Sequence, residues 1–165
     1  MSPSPLMFRA QLVIPEQREL FDYWLSRRGG RSMPSRGDIE PKGFKRHLGF
    51  ISLIDVESEP RRFRYRLAGT GLRHIYGREL TGRYLDEQPF IADGADFDRV
   101  VDRRLPVQGV MRFPLEEKDH LIQFWLKLPL SQDGQNVTML LCYDAFLQMP
   151  KAMALTDQYI QAKAS

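Results

Sequence analysis

The sequence predicts an α+β domain, an antiparallel sheet with helices gathered on one face. Three observations carry that expectation. Two groups of alternating apolar segments, at 50–69 and 107–146, flank a glycine-broken middle stretch with helical patterning. An amphipathic helix precedes them. The length of 165 residues with 42% apolar content suits one core that buries roughly 70% of the unfolded chain's surface.

After a Pro-containing leader (1–14), Pro15 to Arg28 reads as a helix: proline opens it, Glu16, Glu19 and Asp22 precede Arg27 and Arg28, and Gly29-Gly30 stops it. Leu20, Phe21, Trp24 and Leu25 fall on one stripe, which either packs on the domain's own sheet or forms a dimer seam. Residues 29–41 are dense in Gly, Pro and Ser and read as a connector, in which Arg36 and Asp38 pair or cap the following turn. Pro41 to His47 makes one or two helical turns. Phe50 to Val56 is a strand apolar on both faces, hence mid-sheet. Arg61 to Gly69 alternates, with Phe63, Tyr65 and Leu67 toward the core and Arg62, Arg64 and Arg66 away from it.

Thr70 to Asp86 offers short turns punctuated by Gly71, Gly77 and Gly82. Ala92 to Arg104 returns to helical spacing, burying Phe97, Val100, Val101 and Leu105 and turning Asp93, Asp96, Asp98 and Asp102 outward; Pro106 follows. Three strands come next: Val107 to Leu115, His120 to Leu130 and Val137 to Phe146. Glu116–Asp119 and Ser131–Gly134 join them as hairpin turns. A helical tail around Met153 to Ile160 closes the chain. One domain over 15–148 with a tail over 149–165 is the expected division.

The lone Cys142 excludes a disulfide framework and a thiolate-rich zinc site, and fits a reducing compartment. No run approaches the roughly 20 apolar residues of a membrane span, and Pro3, Pro5 and Arg9 break any signal-peptide core, so a cytoplasmic protein is expected. Net charge is +3, yet residues 1–80 carry 15 basic and 9 acidic side chains against 9 and 12 in 81–165. With 18 Arg among 24 basic residues, this asymmetry raises a nucleic-acid partner as an alternative, although no helix-turn-helix or RNA-reading motif accompanies it.

The strand-strand-helices-strand-strand-strand order resembles a PAS domain. More narrowly, Tyr23-Trp24, Gly30-Arg31, Pro34, Arg36, Asp38-Ile39, Phe63-Arg64-Tyr65-Arg66, Gly69-Thr70 and Leu80-Thr81-Gly82-Arg83 resemble a bacterial family of uncharacterised single-domain PAS-like proteins, over about Leu20 to Tyr143. The resemblance implies a five-stranded antiparallel sheet in the order 2-1-5-4-3, helices on one face and the N-terminal helix on the other. It also implies a sensory or protein-interaction role and homodimerisation through the outer sheet face and leading helix. It implies no reaction.

A cavity between sheet and crossover helices is the expected ligand site. Its candidate lining is Phe63, Tyr65, His74, Tyr76, Phe124, Met139 and Tyr143; Leu20, Phe21, Trp24 and Trp125 are the candidates for a dimer or partner face. Haem is disfavoured because the crossover helix has no histidine and His47 and His120 fall near loops or strand ends. Flavin photochemistry is disfavoured because Cys142 lies in a strand, outside any helical Asn-Cys-Arg motif, where it reads as a small buried hydrophobe. No metal site and no cofactor are expected, though a small molecule has room. Arg27-x-x-x-Arg31 lacks the Asp-x-Ser-x-x-Gly that accompanies it in cyclic-dinucleotide readers. No nucleophile elbow, Walker loop, HExxH or kinase signature is present, so the expectation is a non-enzymatic sensor or adaptor, with a small enzyme using the same pocket as the other alternative.

Overall fold

The computed structural model describes residues 4–90 and 94–164. Residues 1–3 of the leader, and Ala92 and Asp93 of the expected crossover helix, lie outside the described residues. Helices α1 (Pro5–Arg9) and α2 (Pro15–Arg28) lead into β1 (Ile51–Glu57) and β2 (Arg62–Ala68). Then follow α3 (Thr70–Tyr76), α4 (Ala95–Arg103), β3 (Val107–Arg112), β4 (Leu121–Ser131), β5 (Val137–Gln148) and α5 (Met149–Ala164), with short 3-10 turns between them. The strands form one antiparallel sheet in the order β2-β1-β5-β4-β3. That is the order implied by the resemblance, and the first strand lies inside the sheet, as its two apolar faces require.

Helix α2 covers one face of the sheet. Leu20, Phe21 and Trp24 are fully buried there, and burial of Leu20 and Phe21 contributes about 1.5–3 kcal/mol each. The Trp24 indole N–H donates to the Pro129 carbonyl at 2.9 Å, and Gln17, also buried, donates to the Phe124 carbonyl at 3.0 Å. The stripe thus packs on the domain's own sheet, and these side chains are not presented to a second molecule. The leader also differs from a mere preface: Phe8, Leu12 and Ile14 join the core.

In the connector, the Asp38 carboxylate accepts from both the backbone N–H and the hydroxyl of Ser35, each at 2.8 Å, closing a reciprocal cap. Its ion partner is Arg31 rather than the expected Arg36, whose guanidinium donates to the Ile39 carbonyl. Arg27 donates to the Asp38 carbonyl, so both arginines of the Arg-x-x-x-Arg pattern are engaged within the connector.

The alternation along β2 breaks where the sequence reads it as continuous. Ile54 pairs with Tyr65 but Leu53 pairs with Leu67, so Arg66 is an extra residue opposite β1. Phe63 and Tyr65 point inward as expected; Leu67 is flipped to the other face and stands 46% exposed. A bulge of this kind is invisible to a period-of-two reading.

Candidate functional site

The face of the sheet opposite α2 is covered by α3, α4 and residues 77–90, and a cavity of about 140 Å3 remains there. Alternation on three central strands supplies its floor: Ser52 and Ile54 from β1, Gln123, Trp125 and Lys127 from β4, Cys142 and Asp144 from β5. Tyr65, Tyr76, Phe90 and Phe97 close its sides, and Met111 sits at its rim. Tyr76 stacks on Phe90 with centroids 4.4 Å apart and meets Phe113 at 5.2 Å, while Phe63 meets Phe97 at 5.5 Å. This aromatic frame ties the crossover segments to the sheet.

Gly109 on β3 is required by that frame. A Cβ there would overlap the six-membered ring of the Trp125 indole, so the absent side chain lets the ring lie flat across the strand. Lys127 follows two residues on, its Nζ 3.8 Å from the Trp125 ring centroid and 4.4 Å from that of Phe97. Gln123 donates to one Asp144 carboxylate oxygen at 2.8 Å, and its amide stands 3.4 Å from the Tyr76 hydroxyl.

Charge at the cavity wall is set by burial. Desolvation pulls the Lys127 ammonium below its usual range, against the attraction of Asp144. Desolvation raises the Asp144 carboxyl against the opposing pull of Lys127 and Gln123. Burial also pushes the Cys142 thiol up to about 12 and raises the Tyr65 and Tyr76 phenols. At neutral pH, Cys142 is a protonated, unreactive thiol.

Of the seven lining residues expected from sequence, the structure brings Tyr65 and Tyr76 to the cavity, with Phe63 beside it through Phe97. Phe124, Met139 and Tyr143 lie one residue out of phase, on the face toward α2. Tyr143 meets His47 edge-on there, and burial raises its phenol to about 12. His74 is exposed on α3 away from the cavity. Trp125, expected on a partner face, is a cavity wall. The reason is common to all: β4 and β5 are covered on both faces, so alternation says which side chains share a face without saying which face holds the cavity. Lys127, Asp144 and Gln123 were missed. Their signal was a charged or amide residue inside an otherwise apolar central strand, as in QFWLKLPL and CYDAF.

Residues 13–142 match the PAS domain family. The chain belongs to that family. Solved structures agree on the fold of this PAS domain. A light-oxygen-voltage domain studied with a flavin analogue shares 15% identity at a TM-score of 0.53, covering 73% of this chain and 93% of that one. The dark structure of the blue-light photoreceptor Aureochrome1 LOV gives 13% and 0.52, covering 71% and 88%. An RNA-binding light-oxygen-voltage receptor gives 16% and 0.50, covering 79% of this PAS domain and 39% of that chain. No curated protein matches the sequence.

The arginine strip of the PAS domain is engaged in place, Arg61, Arg62 and Arg66 by carboxylates and Arg64 by a carbonyl. Arg62 makes a bidentate pair with Asp86 and lies 3.6 Å over the Tyr84 ring; Arg66 pairs with Asp55, and Arg61 with Asp98 and Asp102. Arg64 donates to the Gly82 carbonyl at 3.3 Å. Among the described residues no helix is long and apolar enough to cross a membrane, and no group of His, Cys, Asp or Glu could hold a metal ion.

Proposed function

We propose that the chain is a non-enzymatic PAS sensory module whose cavity takes a small molecule and whose output is a change in how α2 lies on the sheet, read by a protein partner. The observation that carries this reading is the convergence of Lys127, Asp144, Gln123 and two phenols on one aromatic-walled cavity. Coupling is short. Gln123, Trp125 and Lys127 touch the cavity, while the carbonyl of the intervening Phe124 is held by Gln17 of α2. A ligand that favours one setting of β4 therefore biases the helix by its differential affinity for the two arrangements.

Flavin and haem stand outside this reading. A cavity of about 140 Å3 is well below the roughly 300–1,000 Å3 of pockets that take drug-sized ligands. The only thiol sits on β5 with a raised pKa. His47 bonds to Glu19 at 2.7 Å on the far side of the sheet, and His74 and His120 are exposed, so none of the three addresses the cavity. The engaged arginines count against nucleic acid as the partner. A cytoplasmic location belongs to the same reading and is supported by the lone, unpaired Cys142.

Homodimerisation is also part of the proposal, with a different surface from α2's buried stripe. Leu6 and Met7 on α1 are 77% and 63% exposed and continue the leading face outward. Native mass spectrometry of the purified chain, before and after mild denaturation, tests both halves. The expected result is a dimer and a small mass excess released on unfolding. A bare monomer that binds nothing in a broad small-molecule screen overturns the reading.

A further inference from the structure

Lys127 places an ammonium at the cavity wall with the residue only 6% exposed. Its neighbours there are the ring faces of Trp125 and Phe97, and among the described residues no oxygen accepts a hydrogen bond from it. Ring faces offset part of the cost of removing a cation from water, but they accept no hydrogen bond along the N–H directions of an ammonium as an oxygen would. Asp144, directly opposite Trp125 on the neighbouring strand, uses one oxygen to receive Gln123; the second takes no hydrogen bond from the described residues. These two opposite charges face one cavity without forming an ion pair. Asp96, at the same wall and also attracting the Lys127 ammonium, is already paired with Arg99 at 3.3 Å.

We propose that the cavity binds a small zwitterion of the amino acid class, its carboxylate on Lys127 Nζ and its ammonium on the Asp144 oxygen that Gln123 does not use. Charge balance selects that class. A zwitterion gives each buried pole its counter-charge and brings no net charge inside, whereas a phosphate or dicarboxylate adds negative charge beside Asp144. Size selects within it. A cavity of about 150 Å3 holds benzene, so about 140 Å3 takes alanine, serine or valine and excludes aromatic amino acids.

This inference rests on the cavity being the ligand site, as proposed above, and a matched set of probes separates the two. The full chain is titrated by calorimetry with L-alanine, L-serine and L-valine, with propionate, which lacks the ammonium, with isopropylamine, which lacks the carboxylate, and with isopropanol as a neutral probe. The expected result is binding of at least one amino acid, at least tenfold tighter than propionate or isopropylamine, with tenfold or greater loss in Lys127→Met and Asp144→Asn. Equal binding of propionate or isopropylamine, or binding of the neutral probe alone, overturns the zwitterion and leaves the sensory cavity standing. Binding of no probe overturns the zwitterion, while the sensory cavity falls only if the broad screen and native mass spectrometry also find no bound molecule. The probe comparison needs no variant, so it decides the matter even where a substitution impairs folding.

Discussion

The Lys127 ammonium lies over the Trp125 indole, its Nζ 3.8 Å from the ring centroid, with both side chains projecting from β4 into the cavity wall. A cation in this position is stabilised by the ring by about 0.5–2 kcal/mol, against a desolvation cost of several kcal/mol per buried ion. The cost is the larger of the two. The double variant Lys127→Met/Asp144→Asn, which removes both buried charges and keeps an acceptor for Gln123, is therefore expected to stabilise the ligand-free protein by about 1 kcal/mol or more, seen as a higher urea midpoint at unchanged slope. A lower midpoint would mean that the two charges have better partners than the rings and Gln123.

Gly109 and Trp125 set the next expectation. Because a Cβ at 109 would overlap the indole, Gly109→Ala forces the ring or the edge strand to move, at about 1–3 kcal/mol. Near-ultraviolet circular dichroism, which reports the packing of Trp125, should change along with the midpoint. Gly30→Ala, where nothing lies within 4 Å, serves as the control and should leave the spectrum unaltered.

Trp24 joins α2 to the end of β4. Pairing of β3 stops at Lys127, and beyond it the Pro129 carbonyl is taken by the Trp24 N–H and the Ser131 N–H donates to the Pro34 carbonyl. Trp24→Phe keeps most of the apolar area but orphans the Pro129 carbonyl, at about 1–3 kcal/mol. Thermal unfolding would check this, and an unchanged midpoint would show that water replaces the indole.

Asp38 has a pH signature. Hydrogen bonds from the Ser35 backbone and hydroxyl and from Arg31 lower its carboxyl from 3.8 to about 2. A depressed carboxylate pKa gives stability that is present in full above the unfolded value and is lost as pH falls toward the folded one. Order in the connector should therefore weaken from about pH 4 down to about pH 2. The carboxyl carbon chemical shift of Asp38 followed by NMR should give a midpoint near 2, and a midpoint near 4 would deny the cap.

Local signals made the elements legible. Proline, acid-to-base order and glycine mark α2 at its observed bounds, and charged hairpin turns separate β3, β4 and β5, because these signals act within one or two turns of chain. The strand order came from the resemblance, which rests on the succession of elements and on short motifs such as Gly69-Thr70, Leu80–Arg83 and the Phe63–Arg66 run. The bulge at Arg66 was not legible: any residue can serve as the extra one, and only pairing with β1 reveals it.

The amino-acid sequence alone determines one α+β domain, its helix and strand succession and the burial of its central strands, since each follows from apolar spacing and turn chemistry. It does not determine which side of a doubly covered sheet encloses space. That choice came from tertiary packing: α2 and the Pro41–Phe50 turns pack on the Phe124 and Tyr143 face, while α3, α4 and the aromatic frame stand off the Trp125 and Asp144 face. Whether Lys127 and Asp144 are wet side chains or buried charges depends on what covers them, and covering is a property of contacts between segments far apart in the chain.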